Sequence, residues 1–288
     1  MMSNTRKRLL YFLFIIGVTA CFIYYLFPSD KIKSYITVQF NKTYPGITIA
    51  LDHVTPAFPP GLRLYNVNFY HTHDPLFGME RIKISPALLS LFRSKINFCY
   101  KGSAYAGMLE GRGEFTKNTP EIMIDGKLSG IRIKEISGIK NFIGRNISGV
   151  LDGNFTYWNG KESGNDLKAE LIISDGQFEL LTPLLQLESL AFKKITAELA
   201  LKNMNLNIKK CILTGDQMDG SVSGSVTLKN TPGQSYLKLS GTIKPHPVFI
   251  EKLGNDLPPN LLPKKIFGKN GVKIRIYGTL DNPRFFLN

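Results

Sequence analysis

Few residues of this chain have the types and spacing that chemistry requires, and the histidines are the first to consider. His71-Thr72-His73-Asp74 is the only cluster that resembles a metal site. Strand alternation would place both imidazoles on one face, as a pair of zinc ligands requires. The spacing supplies no third ligand, and the Asp-Pro that follows is typical of a polar strand end. The sequence therefore predicts neither a metal nor another cofactor.

Motifs for nucleophilic catalysis and phosphate binding are also missing from the sequence. Ser221-Val222-Ser223-Gly224-Ser225 comes nearest to a nucleophile elbow, but it lies within a strand pattern. No GxGxxG opens a helix, and there is no phosphate-cradling GKS or GKT. Many carboxylates stand at turns, where Asp satisfies backbone groups: Asp125, Asp152, Asp175 and Asp281. We therefore expect no enzyme and assign no catalytic, cofactor-binding or metal-binding residues.

The elements that would position any site are β-strands marked by a recurring unit. An apolar residue, any residue, Gly, any residue and a second apolar residue occur in five places: Ile124–Leu128, Leu151–Phe155, Val222–Val226, Leu239–Ile243 and Ile276–Leu280. In a strand, the apolar residues and the Gly share one face. A glycine in mid-strand indicates a bulge or a close approach of another backbone. The pattern predicts an all-β body.

The fold predicted after the N-terminal region is a long, curved, mostly antiparallel sheet with a few short helices. These helices are expected at 85–92, 134–142, 183–190 and 247–253, with Ser85 capping the first. More than a dozen strands would each present an apolar face, which so few helices cannot cover. The faces must therefore pack on one another or line a groove that something else fills. An acyl chain would satisfy the second requirement.

The N-terminal region contains 9–27, a run without a charge, amide or proline. A helix of this length spans about 28 Å, close to the thickness of the hydrocarbon core of a bilayer. Basic residues at 6–8 precede it, so the positive-inside rule keeps the N-terminus cytoplasmic and exports the body. The bulky residues at 23–27 favour an uncleaved anchor over a cleaved signal peptide. The sequence thus predicts a transmembrane helix at 9–27.

The predicted organisation has four parts. A cytoplasmic basic tail at 1–8 leads into the anchor, and an amphipathic connecting helix follows at 28–44. An exported β-rich domain occupies 45–288, with a candidate sub-boundary near 116–122.

The charge balance is basic, with a formal net charge of +14. Basic surfaces favour phosphate-rich partners such as anionic lipid headgroups, although scattered Lys and Arg also protect sheet edges from pairing. No basic run or aromatic motif indicates nucleic acid.

Of three cysteines, Cys21 lies in the predicted anchor. For Cys99 and Cys211 the sequence allows two alternatives, which are one disulfide bond between them or two buried free thiols.

Three stretches carry a family resemblance. They are Pro45–Ile49 leading to Pro59–Leu64, the strand–SPALLSLF–strand passage at 81–100, and Ile173–Phe178 with 215–228 and the closing Ile276–Pro283. On these residues the chain resembles the type II secretion system protein N (GspN) family and, more distantly, the AsmA-like periplasmic proteins. The resemblance implies a single-pass protein of the Gram-negative inner membrane with a periplasmic body. It brings no catalytic motif.

Two functions follow as expectations from the resemblance. The first is an inner-membrane-anchored accessory or scaffold component of type II protein secretion, with other secretion components as partners. The alternative is an AsmA-like lipid-binding or lipid-transfer module whose apolar groove holds phospholipid. A scaffold should close its apolar faces on itself, whereas a lipid carrier must leave a continuous apolar trough.

Overall fold

We describe the protein from a computed structural model. It describes residues 4–44, 46–58, 60–71, 74–117, 119, 121–136, 138–140, 144–160, 164–184, 187–229, 231–247, 249 and 271–287.

The chain begins with two helices and continues almost entirely as strands. The helices are α1 (Asn4–Tyr25) and α2 (Ser29–Thr43). The strands are β1 (Ile47–Ala50), β2 (His53–Ala57), β3 (Gly61–His71), β4 (Asp74–Pro86), β5 (Lys95–Ala104), β6 (Gly107–Thr116), β7 (Ile122–Arg132), β8 (Ile147–Gly160), β9 (Gly164–Leu184), β10 (Leu187–Lys202), β11 (Asn205–Thr214), β12 (Met218–Thr227), β13 (Tyr236–Pro245), β14 (Val272–Thr279) and β15 (Pro283–Leu287). Short 3-10 helices lie at Leu88–Phe92, Ile133–Glu135 and Pro232–Gln234.

All the strands form one sheet of 15 antiparallel strands. From β3 onward each strand pairs with the next along the chain, while β1 and β2 both pair with β3. Tight turns make this possible: Tyr105 and Ala106 both have positive φ, as do Asn203 and Met204, which suits two-residue hairpin loops. The mainly β, antiparallel part of the sequence prediction is confirmed.

The register aligns apolar residues into rows that cross the sheet, and we call the side that carries them the apolar face. One row runs through Ile82, Gly102, Leu109, Leu128, Gly153, Leu171, Ala197, Cys211, Val222, Gly241 and Ile274. A neighbouring row runs through Ala169, Leu199, Ile208, Gly224, Leu239 and Ile276. Because strand residues alternate in direction, the opposite side is polar, and we call it the polar face.

Helix α2 covers the first part of the apolar face. Ile32, Ile36 and Phe40 pack against a core that includes the buried Leu64 and Val67. The remaining buried members of this first cluster are Ile49, Leu51, Val54, Met79, Ile82, Tyr100, Ala104, Ile131 and Ile136. Burying these side chains against a helix gives the N-terminal strands a closed core.

The start of α2 is held to the sheet by polar contacts as well. The Ser29 hydroxyl donates to the carbonyl oxygen of Val54 at 2.7 Å and accepts from the Val54 amide at 3.2 Å. The Lys33 ammonium donates to the carbonyl oxygen of Asp52 at 2.8 Å. The position of α2 is therefore fixed at its N-terminal end by hydrogen bonds and along its length by apolar packing.

The prediction of a transmembrane helix at 9–27 is wrong. No helix in the described part of the chain has the length and apolar character needed to cross a membrane. The helix Asn4–Tyr25 starts within the polar and basic residues and ends two residues before 27, which shortens its apolar part. A membrane span needs about 20 predominantly apolar residues. The single-pass inner-membrane location, which depended on this segment, loses its support.

Two local predictions are also wrong. Residues 183–190 were expected to form a helix, but β9 extends to Leu184 and β10 starts at Leu187. Pairing with long neighbouring strands outweighs local helix preference here. Ser85 does not cap a helix, because β4 continues through Pro86 and the 3-10 helix follows Ala87 without a side-chain cap.

The strand glycines predicted to mark bulges include one that requires glycine. Gly224 has a φ of 140°, and a Cβ there would overlap the carbonyl oxygen of Lys238. The register of β11 against β12 shifts nearby, between Ile208 and Cys211. Gly220 on the same strand has room for a side chain. A Cβ at this position would have the carbonyl oxygen of Thr242 as its nearest atom, at 3.6 Å.

We expect Gly224→Ala to lower the free energy of unfolding by about 1–3 kcal/mol, because the new side chain is strained at positive φ. Gly220→Ala is the matched control and should be neutral or stabilising by about 0.4–1 kcal/mol, since it restricts the unfolded chain. Chemical denaturation measures both values. Equal effects of the two substitutions would contradict the backbone explanation.

An ion pair ties the end of β13 to β12. His246 Nε2 lies 3.0 Å from Asp219 Oδ2, and Nδ1 lies 3.0 Å from the carbonyl oxygen of Asp216. The hydrogen bond with Asp219 raises the pKa of His246, and the same bond lowers the pKa of Asp219. Lys244 also acts on the Asp219 carboxylate and favours its charged form.

This pair should make stability depend on pH. The folded state binds the His246 proton more tightly than the unfolded state, so its contribution is complete below the ordinary histidine pKa and lost as pH rises through the raised value. Because the His246 and Asp219 side chains are 32% and 44% exposed, solvent screens the pair and its contribution should stay below about 1 kcal/mol. An NMR titration should show the raised pKa of His246 and its return toward the ordinary value in Asp219→Asn. An unchanged pKa in that variant would refute the role of the pair.

Candidate functional site

The candidate site is a part of the apolar face that packs into no cluster among the described residues. We call it the central apolar tract, and it consists of Leu167, Leu171, Leu199, Leu201, Leu206 and Ile208 on β9, β10 and β11. All six side chains are half-buried. They meet in register, with Leu201 between Leu167 and Leu206 and with Leu199 paired to Ile208.

The tract lies outside the two packed clusters of the described residues. The first cluster reaches β8 through the partly buried Leu151. A second cluster joins the buried Leu190 and Phe249 with Phe178 and Met218. None of the six tract residues belongs to either cluster. The tract is therefore a continuous apolar surface across three strands that takes part in neither packed cluster.

The geometry of the tract suits an apolar ligand. Neighbouring strands lie about 4.8 Å apart, so three strands give a surface about 10 Å wide. The facing side chains are leucines and an isoleucine, without a charged group among them. Such a surface can hold a hydrocarbon chain by burial and dispersion, and it has no group for acid–base or nucleophilic chemistry.

The polar face carries its own groove, of about 760 Å³, across β4 to β8. Its cations are only partly neutralised: the Lys101 ammonium lies 3.0 Å from Glu110 Oε2, and Asp125 Oδ1 accepts from the Thr156 hydroxyl at 2.8 Å. Lys83, Arg112 and Lys127 also line the groove. A groove of this composition can bind polar ligands.

Tyr100 lines this groove and is a buried member of the first cluster. Its hydroxyl donates to the carbonyl oxygen of Asp125 at 3.0 Å. Burial raises the pKa of Tyr100 to about 12, and the negative charge of Asp125 acts in the same direction. The phenol therefore stays protonated, and it serves as a structural donor and not as a general base.

The His71–Asp74 segment, which the sequence analysis considered as a metal site and set aside, is only partly described by the structure. His71 Nδ1 lies 2.9 Å from the carbonyl oxygen of Gly46, and His73 lies outside the described residues. No group of three potential ligands occurs in the part of the chain that the structure describes. The serines of 221–225 lie within β12, and no hydrogen bond joins them to a histidine among the described residues.

Cys99 and Cys211, for which the sequence allowed a disulfide bond, are free thiols. Cys99 is exposed on β5, while Cys211 is half-buried on the apolar face of β11. Burial raises the pKa of the Cys211 thiol, so it is a poor nucleophile. The expectation that both thiols are buried is wrong for Cys99, because strand alternation places it on the polar face beside Arg112.

Sequence analysis did not identify the six residues of the tract as a group. Each strand shows the alternation that predicts its apolar face, but the register between strands decides which apolar residues become neighbours. The helix expected at 183–190 also hid the pairing of β9 with β10. The signal that remained was the shortage of helices relative to strands.

Comparison with known proteins does not extend these findings. No protein-family model, no curated protein and no solved structure matches the chain.

Proposed function

We propose that this protein binds lipid and that the central apolar tract holds the acyl chain. The observation that carries the proposal is the position of the six tract residues, half-buried and outside both packed clusters. A water-exposed apolar surface of this kind is costly unless something covers it.

The contrast between the two parts of the sheet supports the proposal. Over the first strands, α2 covers the apolar face and brings residues such as Val54 and Val67 to almost complete burial. Over β9 to β11, the same face is only half-buried. A protein that only needed a stable sheet would gain from covering both parts, whereas a lipid-binding protein needs one part open.

The length of the apolar rows also fits an extended hydrocarbon chain. The rows continue from the tract onto β12 and β13 through Val222, Val226 and Leu239. Glycines at 224 and 241 interrupt the side chains and leave room along the rows. A chain lying across the strands would therefore meet apolar side chains and glycine backbone over several strand spacings.

A second candidate is an accessory or scaffold component of type II protein secretion. The observation that favours it is the position of β15, which pairs with β14 alone among the described strands and exposes Phe285, Phe286 and Leu287. An open edge can accept a strand from a partner, with main-chain hydrogen bonds for affinity and side-chain pockets for specificity.

The lipid-binding proposal predicts opposite outcomes for two charged substitutions on the same face. Leu199→Asp should fold and melt close to wild type, because its carboxylate reaches water, but it should lose acyl-chain binding. Val67→Asp, whose site is 2% exposed, should fail to fold because it buries an unpaired charge. Circular dichroism melting and native mass spectrometry with a long-chain fatty acid measure the two properties.

If Leu199→Asp unfolds as Val67→Asp does, the tract is part of a closed core and the lipid-binding proposal is wrong. If it folds and still binds the fatty acid, the acyl chain lies elsewhere. Glu198→Gln, on the opposite face of the same strand, is the control and should leave both melting and binding unchanged.

The scaffold candidate makes a separate prediction. Phe285→Lys places a charge on the edge strand, which discourages strand pairing. It should abolish binding to purified secretion components and leave fatty-acid binding intact. If the variant still binds those components, β15 is not the edge to which they pair.

A further inference from the structure

The most exposed apolar side chains of the β-sheet region lie together at one end of it. Phe58 and Phe92 are each 91% exposed, and Leu89 is 80% exposed. Leu88 and Leu91 add to the same surface. We call these five residues the apolar rim. Several strongly exposed apolar side chains at one place are typical of an interaction site.

The strand register places both parts of the rim at the same end of the sheet. Phe58 lies in the turn after β2, where Ala57 pairs with Gly61. The 3-10 helix Leu88–Phe92 follows β4, and Leu62 at the start of β3 pairs with Ile84 near the end of β4. The Lys83 ammonium donates to the carbonyl oxygen of Phe58 at 2.8 Å, which ties the turn to β4.

The 3-10 helix is rigidly held although its apolar side chains are exposed. Ser90 is buried, and its hydroxyl donates to the carbonyl oxygen of Ala87 at 2.6 Å and accepts from the Asn97 amide at 3.0 Å. The Ala87 amide donates to the carbonyl oxygen of Asn97 at 2.8 Å. Hydrogen bonds therefore fix the backbone with Leu89 and Phe92 pointing outward.

Cations surround the rim. The Lys117 ammonium donates to the carbonyl oxygen of Leu91 at 2.6 Å, and Arg93 and Lys95 follow the helix directly. Lys95 lies 2.6 Å from Glu114 Oε1, and this hydrogen bond raises the pKa of Lys95. With Lys83 the surrounding cations number four, and we call them the basic collar. Glu114 and, more weakly, Glu121 act on the Lys95 ammonium.

We propose that this end of the sheet docks on the surface of an anionic phospholipid bilayer, with the apolar rim inserted at the interface. Phe58, Leu89 and Phe92 would lie at the boundary between headgroups and acyl chains, and the basic collar would face the lipid phosphates. Peripheral binding of this kind combines buried apolar area with attraction to anionic lipids.

The shape and charge of the rim favour a bilayer over a protein partner. The rim consists of protruding side chains on two loop ends, which insert into a fluid layer without a complementary pocket. The collar matches the negative potential of anionic lipids. This inference does not depend on acyl-chain binding by the central apolar tract, which lies on different strands.

The test uses the full chain with tryptophan at the rim as a local reporter. In a Trp158→Phe background, Phe92→Trp should shift its emission to shorter wavelength on addition of vesicles that contain phosphatidylglycerol. Brominated acyl chains should quench that emission. Because the signal comes from residue 92 alone, adsorption of another part of the chain does not produce it.

The matched control is Phe286→Trp in the same background, because Phe286 is also exposed but lies on β15. Its emission should not change. If the emission of Phe92→Trp does not shift with any vesicle, the proposal is wrong. The apolar rim would then be a binding surface for a protein. Equal shifts of both reporters would overturn it too, since they would indicate non-specific adsorption.

The collar is tested by charge removal. Arg93→Gln with Lys95→Gln should weaken vesicle binding, read from the Phe92→Trp signal, by about fivefold for each cation removed. Lys168→Gln with Lys194→Gln removes the same charge from exposed sites on β9 and β10 and should have little effect. Equal weakening in both pairs would show that only net charge matters and would refute the collar.

Discussion

The structure depends on the register of one antiparallel sheet. Because side chains alternate along each strand, a shift of one residue would move every apolar residue to the other face. Strand pairing continues from β3 to β15, and in spite of several β-bulges it aligns apolar residues and glycines into rows that cross the molecule. A second sheet is not found among the described residues. How those rows are covered therefore decides what the protein can do.

The apolar face is not covered evenly. One part of it is closed and can stabilise the fold, whereas another part is left accessible. Helix α2 closes the face over the first strands, where hydrophobic burial can stabilise the fold. The central apolar tract is left half-buried. The apolar rim at the ends of β2 and β4 is a third environment, exposed to solvent on a backbone that hydrogen bonds hold in place. Apolar side chains are thus left at least partly exposed at two separate places of the described structure.

Local sequence signals failed where long-range pairing competed with them. The residues 183–190 have a proline and leucines that suggest a helix, yet they continue the pairing of β9 with β10. Ser85 and Pro86 resemble a helix start, but they complete β4 against Cys99 and Phe98. In each case the neighbouring strand satisfies backbone groups that a helix would otherwise have paired internally.

The sequence by itself determined the β character and the apolar face of each strand, because alternation is a local property of the chain. It also determined the lack of a catalytic motif. The tertiary structure alone decided which apolar rows α2 covers, that Leu199 meets Ile208, and that Phe58 lies at the same end of the sheet as Phe92. Strand pairing and helix packing join residues far apart in the chain, and such contacts depend on register and on competition for burial that no single segment contains.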